Sequence, residues 1–377
     1  MNQTIQMVDL KTQYLAIKSE LDNAIQQVID TTAFVKGPKV SEFQKHLEQY
    51  LGVKHVIPVG NGTDALQIAL MSLNLKPGDE VITPTFTFIA TAEVVKVLGL
   101  TPVVVDVDPE TFLVTPEIIE KAITPKTKAI VPVHLFGQNV DMENLLTLAQ
   151  KYNLAIIEDA CQSIGSKYYF SDGKVGMSGC MGNIGCTSFF PSKNLGCYGD
   201  GGAIFTNDDA LAEKMRAIAN HGMVVRYHHD LVGVNSRLDA IQAAILDVKL
   251  NYLDKYIANR KRAAQYYNQA FSTCSKIQIP KQMESSEHVF HQYTLILDES
   301  IDRDALQASL KAKGIPSMVY YPIPLHLQKA YSDPRYKEGD FPVAEMLSKR
   351  VLSLPMHTEL SEEQLEYIVN AVLDFVN

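Results

Sequence analysis

A repeating alternation of short apolar runs with amphipathic stretches is the tightest constraint on this 377-residue chain. The runs 54–59, 80–83, 102–106, 128–134, 154–158, 185–189 and 202–206 have strand length, and 63–73, 86–98, 115–122, 141–152 and 208–219 carry apolar residues at the helical spacing of three and four. Strands joined through helices of about ten residues need right-handed crossovers, which build a largely parallel sheet with helices on both faces. Two helical spans, 12–30 and 38–51, precede this α/β unit. After it the spacing predicts one long helix over 239–270, then an alternating run at 290–297 and further helices, the pattern of a smaller α+β domain. The expected division is a large domain over 1–250 and a small one over 251–377.

Composition narrows the partners. At 46% apolar and 20% charged residues the chain can bury a sizeable core, which excludes a disordered or fibrous protein. Thirty-four basic against 43 acidic side chains give a net charge of -9, and no Lys/Arg run is interleaved with aromatics, so nucleic acid is not an expected partner. No basic segment followed by an apolar core opens the chain, and its apolar runs stay below the roughly 18 residues that span a bilayer, so no membrane partner and a cytoplasmic location are expected. The five cysteines (Cys161, Cys180, Cys186, Cys197, Cys274) are odd in number and never spaced as CxxC, which argues for reduced thiols and against a metal knuckle.

Three segments carry chemistry. Gly60-Asn61-Gly62-Thr63-Asp64-Ala65 follows a strand and opens a helix, so its amides and the Thr63 hydroxyl can hold an anion at the positive helix end. It also matches the GxGxxA phosphate pattern of dinucleotide-binding proteins, and ordinary turn-and-cap chemistry produces such matches too. In LAIIEDACQS, Asp159 ends an apolar strand, where parallel sheets present ligand-facing residues, and an acid there can hold a protonated heteroaromatic nitrogen. In TSFFPSKNLGCYGDGGAIFT, Lys193 lies between two strands in a Gly/Ser/Pro-rich loop, and a lysine facing a cleft can form an imine with a carbonyl. Anion cup, strand-end acid and loop lysine, in this order, are what pyridoxal phosphate needs.

With these residues the sequence resembles the DegT-type (DegT/DnrJ/EryC/StrS) nucleotide-sugar aminotransferases, from FVKGPKV at 34–40 through VGNGTDAL at 59–66, PTFTFIAT at 84–91, VHLFGQ at 133–138, EDACQS at 158–163, SFFPSKNLGCYGDGGA at 188–203, HGMVVRYHHDLVGVNSRLDAIQAAIL at 221–246 and YYPIPLHLQ at 320–328. The resemblance implies a fold-type I pyridoxal-phosphate enzyme. It further implies that Lys193 forms the imine and shuttles the proton to and from the cofactor's C4′, and that Asp159 keeps the ring nitrogen protonated. Gln162 would contact the phenolic oxygen and Phe88 stack on the ring. Gly62, Thr63 and Ser188 would hold the phosphate, joined by Asn235 from a second subunit of a homodimer with shared sites. Arg226, Tyr227, His229 and Arg237 lie in the segment that reaches across such a dimer, and Tyr320 and Tyr321 precede PIPLH. Relatives acting on 3-keto uronic acids often read His-Tyr-Pro there, and this chain departs with Tyr320 in the histidine position.

The expected activity is amino-group transfer from an amino acid, glutamate first, to a ketone on a nucleotide-linked hexose feeding surface polysaccharide. RYHHDLVGVNSRLDAIQAAIL is most similar to enzymes that aminate UDP-linked 3-keto-hexosamine uronic acids, with the 4-keto-6-deoxy class as the alternative. A related sugar dehydratase would carry histidine in place of Lys193. A nicotinamide dehydrogenase would leave Asp159 and Lys193 without a task. A ligand-sensing regulator on the same scaffold is the reading outside enzymology.

Overall fold

The computed structural model describes residues 5–376. Among them twelve strands occur: β1 (His55–Val59), β2 (Glu80–Pro84), β3 (Thr101–Val105), β4 (Thr127–Ile130), β5 (Ala155–Asp159), β6 (Lys167–Tyr169), β7 (Val175–Met177), β8 (Ile184–Ser188), β9 (Gly202–Thr206), β10 (Ile277–Gln278), β11 (Tyr293–Leu297) and β12 (Val351–Leu354). Seven of them form the central sheet in the order β1-β9-β8-β5-β4-β2-β3. Every neighbouring pair is parallel except those made by β9, which runs antiparallel to both β1 and β8. The expected fold-type I α/β architecture is therefore what the chain forms, with one reversed strand.

Period-two alternation sends successive strand residues to opposite faces. Ile57, Val81, Ala129, Ile157 and Ile204 enter one core, under the helices Gly62–Ser72, Ala90–Val97 and Asp209–Ile218. Val56, Ala203 and Phe205 face the other side, against Pro38–Leu51 and Ala240–Leu250, while Ile82, Ile130 and Ile156 lie over Met142–Tyr152. Full burial of each of these Val, Ile and Phe side chains contributes about 1.5–3 kcal/mol. No described helix is long and apolar enough to cross a membrane.

The smaller sheet, β10-β11-β12, is antiparallel and packs with helices Leu253–Phe271, Arg303–Ala312 and Glu362–Val376 around a core of its own. The helix expected over 239–270 is broken into Ala240–Leu250 and Leu253–Phe271. Asn251 explains the break: its side-chain amide donates to the carbonyls of Asp247 and Val248, competing with the helix's own amides. The span 12–30 divides likewise at Ile17, where φ is -127°. The helix expected over 86–98 starts only at Ala90, because Thr85 still pairs with the β3 end through its N–H to the Val105 carbonyl at 2.8 Å. Strand β4 stops at Ile130, ahead of Pro132. The hairpin β6–β7 escaped the strand reading despite its Asp172-Gly173 turn.

Candidate active site

A cavity of about 770 Å³ opens where β5 and β8 end, beside the first turn of helix Gly62–Ser72. Its lining includes Gly62, Thr63, Phe88, Asp159, Gln162, Ser188, Lys193, Tyr320 and Tyr321. Nine of the residues singled out from the sequence thus meet in one place, brought from both the large sheet and the 320–321 strap.

Each is positioned by local chemistry. Asn61 caps the helix, its Oδ1 accepting the Asp64 N–H at 2.8 Å, which leaves the Gly62 and Thr63 amides as the first-turn donors without an intrahelical acceptor. A Cβ at Gly62 would lie 2.8 Å from the Ser188 Cβ and 3.0 Å from the Cys161 Sγ. Only glycine lets the helix start approach the end of β8 this closely. At the other wall Asp159 is buried, its Oδ2 accepting from the Thr91 hydroxyl at 2.8 Å and its Oδ1 from the Cys161 N–H at 3.2 Å. Gln162 is oriented by its neighbours: Oε1 accepts the Phe136 N–H at 2.7 Å, which leaves the amide NH2 to donate, here to the Tyr321 hydroxyl at 3.2 Å.

Lys193 is half-buried on the cavity wall. Burial lowers its pKa below the usual lysine range, against the opposing pull of the Asp159 carboxylate. Burial and that same carboxylate push the Cys161 thiol well up, so it stays protonated and does not act as a nucleophile. Burial also raises the Tyr321 phenol, which remains a neutral hydrogen-bonding group.

The other five candidates lie off this chain's cavity lining. Arg226, Tyr227, His229 and Asn235 are exposed, on a projection closed at its base by the bridges Asn220–Asn235 and Met223–His229, and Arg237 is half-buried just beyond it. Arg226 stacks on the Tyr227 ring at 4.9 Å, and the His229 Nδ1 is 2.8 Å from the His221 carbonyl. Val224, Val225, Tyr227 and Val232 are between 59% and 87% exposed there, an apolar surface this chain leaves uncovered.

Several supporting residues escaped the sequence reading. Glu158, fully buried, accepts from His134 Nε2 at 2.8 Å and from the N–H groups of Gly179, Met181 and Gly182 at 2.5–2.9 Å, stiffening the strand end that carries Asp159. The signal was present: two adjacent acids on an apolar strand point to opposite faces, so one of them must face the core and needs donors. Thr91 and His291 had no such signal, since distant segments bring them here, whereas Asp200 reaches the lining from the Lys193 loop itself.

Comparison with known proteins agrees with this geometry. Residues 15–373 match the DegT/DnrJ/EryC1/StrS aminotransferase family. The chain belongs to that family. A protein of Pseudomonas aeruginosa named UDP-2-acetamido-2-deoxy-3-oxo-D-glucuronate aminotransferase is 47% identical over 98% of this chain and 99% of its own. One of Geobacillus stearothermophilus named pleiotropic regulatory protein is 46% identical over 98% of both chains. Among solved structures, that of a Bacillus subtilis protein with bound cofactor PMP superposes with a TM-score of 0.86 at 34% identity, covering 95% of this chain and 81% of that one.

Proposed function

We propose that this aminotransferase moves an amino group from glutamate to the 3-keto group of a UDP-linked 2-acetamido uronic acid, with pyridoxal phosphate as cofactor. The observation that carries the reading is one cavity holding a buried carboxylate, a lysine of lowered pKa and a helix start with free amides, in a chain 47% identical to the glucuronate enzyme. Its donor set fits the cofactor: first-turn amides and a hydroxyl for a phosphate, a carboxylate for a pyridinium, an amide donor for a phenolate.

When bound, pyridoxal phosphate supplies an electron sink for the charge left on a substrate carbon that loses its proton. The chain's residues do the rest. Gly62, Thr63 and Ser188 would hold the phosphate, and Asp159, fixed by Thr91 and the Cys161 N–H, would hold the ring nitrogen protonated. Gln162 would present its NH2 to the phenolic oxygen because Phe136 occupies its carbonyl. Phe88, more than half exposed at the cavity, would cover the ring face. Lys193, lowered by burial, would serve as the base that takes the proton from the substrate carbon and as the acid that delivers it to the cofactor side.

The uncovered projection supports a homodimer in which Asn235 and the Arg226–Arg237 segment complete the neighbour's site. There Arg226, Tyr227, His229 and Arg237 would meet the sugar nucleotide, with Tyr320 and Tyr321 on the near wall. We assign the large cofactor-binding domain to residues 1–250 and the small C-terminal domain to 251–377, and place the reaction among cytoplasmic steps that supply surface polysaccharide, lipopolysaccharide included. The name of the Geobacillus relative raises a regulatory reading, which an assay decides. A visible cofactor band that shifts on adding glutamate, and borohydride trapping of cofactor on Lys193, test the enzymatic reading. A colourless protein that traps no cofactor would sink it.

A further inference from the structure

Helix Ala240–Leu250 presents Gln242 and Lys249, two turns apart, to the loop that carries Lys193. Gln242 Oε1 accepts the Tyr198 N–H at 2.8 Å, and the Lys249 ammonium donates to the Gly196 carbonyl while standing 5.4 Å from the centre of the Tyr198 ring. Lys249 is only 1% exposed, and among the described residues no carboxylate pairs with it. A buried ammonium without an acid costs stability that an aliphatic residue would not. What it gives in return is a charge-assisted hydrogen bond at the Gly196 carbonyl, in a loop whose other ties include Lys193 N–H to the Phe190 carbonyl at 2.8 Å, Cys197 N–H to the Phe189 carbonyl at 2.8 Å, the Cys197 thiol to that same carbonyl at 3.0 Å, and Asn194 Nδ2 to the Val289 carbonyl at 3.1 Å.

We propose that Lys249 is a positioning residue: by holding the Gly196 carbonyl three residues beyond Lys193, it fixes the height at which the Lys193 amine meets the reacting carbon. A displacement of about 1 Å at a reacting group costs on the order of a hundredfold in rate, so a clamp of this kind acts on turnover and not on binding. Burial lowers Lys249 to about 8, with the Cys197 thiol raising it and Arg260 lowering it. Burial holds Cys197 itself at about 11 and Tyr198 at about 12. Burial thus lowers both lysines that meet in this loop, Lys193 and Lys249.

The proposal rests on Lys193 being the imine-forming residue, which borohydride trapping checks separately. The test is Lys249→Met in cofactor-loaded protein, followed by hydrogen exchange, cofactor stoichiometry and steady-state kinetics. Cofactor should remain stoichiometric and KM stay within about twofold, while exchange over residues 193–199 rises about tenfold or more and kcat falls about ten- to a hundredfold. Unchanged exchange over 193–199, or a rise spread equally over β5 and β8, overturns the proposal. Should that variant not fold, Lys249→Gln, whose shorter neutral side chain cannot make the charge-assisted bond, is measured in the same way: exchange over 193–199 should rise above the parent's while that of β5 holds, and unchanged exchange there overturns the clamp.

Discussion

Replacing Asp159 by asparagine removes one charge and almost no volume, so it isolates the electrostatic part of the site. The carboxylate is 6% exposed and already accepts from Thr91 and the Cys161 N–H, which leaves its remaining acceptor capacity for the cavity. A pyridinium at a charge-assisted distance of about 2.8 Å interacts with it by roughly 6 kcal/mol at an effective dielectric of about 20. Losses measured for single preorganised groups in active sites, about 3–4 kcal/mol, show how much of such a gross energy reaches the transition state. Asp159→Asn should therefore lower kcat by about 10²–10³-fold at saturating cofactor. The assay is single-turnover conversion of the cofactor by glutamate, followed by stopped-flow absorbance, with folding checked by thermal melting. A loss below about fivefold, or full recovery on adding excess cofactor, would refute the argument and leave Asp159 a structural residue.

Lys193→Ala should abolish turnover while the protein still folds and binds cofactor through the phosphate cup, and turnover near the parent rate would contradict its role. Subunits carrying Lys193→Ala, mixed with subunits altered at Asn235 and Arg237, should regain up to about a quarter of parental activity, because half the dimers are mixed and each holds one intact site. A mixture as inactive as its components, with subunit exchange verified, argues that these residues serve their own chain. Burial lowers His288 to about 3 and His357 to about 4, so both stay neutral in the fold while the unfolded chain takes up protons below about 6.5. Stability is thus fully present above pH 6.5 and should be lost progressively as pH falls to about 3, the folded value of His288. Urea midpoints at pH 7 and 5 measure it, and His357→Gln should flatten the slope.

How far the sequence could be read depended on how local the physics was. Short apolar runs marked all seven strands of the large sheet, because a strand buried on both faces must be apolar along nearly its whole length. The reversal of β9 left no trace, since an antiparallel and a parallel strand buried on both faces have the same composition. The break at Asn251 turned on one side-chain amide against a strong helical period. Gly62, Asp159 and Lys193 were legible because turn, strand end and loop announce themselves in sequence. The residues that orient them were not, apart from Glu158 beside Asp159. Thr91 lies 68 positions from Asp159 and Lys249 lies 53 from Gly196, and such contacts exist only once the sheet and helices have assembled.

The central claim is that this chain aminates the 3-keto position of a UDP-linked 2-acetamido uronic acid, and one measurement meets it directly. The purified protein, loaded with pyridoxal phosphate, is incubated with isotopically labelled glutamate and a panel of keto sugar nucleotides, and the products are read by mass spectrometry. The account predicts labelled nitrogen on the UDP-linked 3-keto uronic acid, at a rate at least tenfold above any 4-keto-6-deoxy sugar. Label appearing on the 4-keto-6-deoxy sugars instead, or on none of the panel, would contradict it.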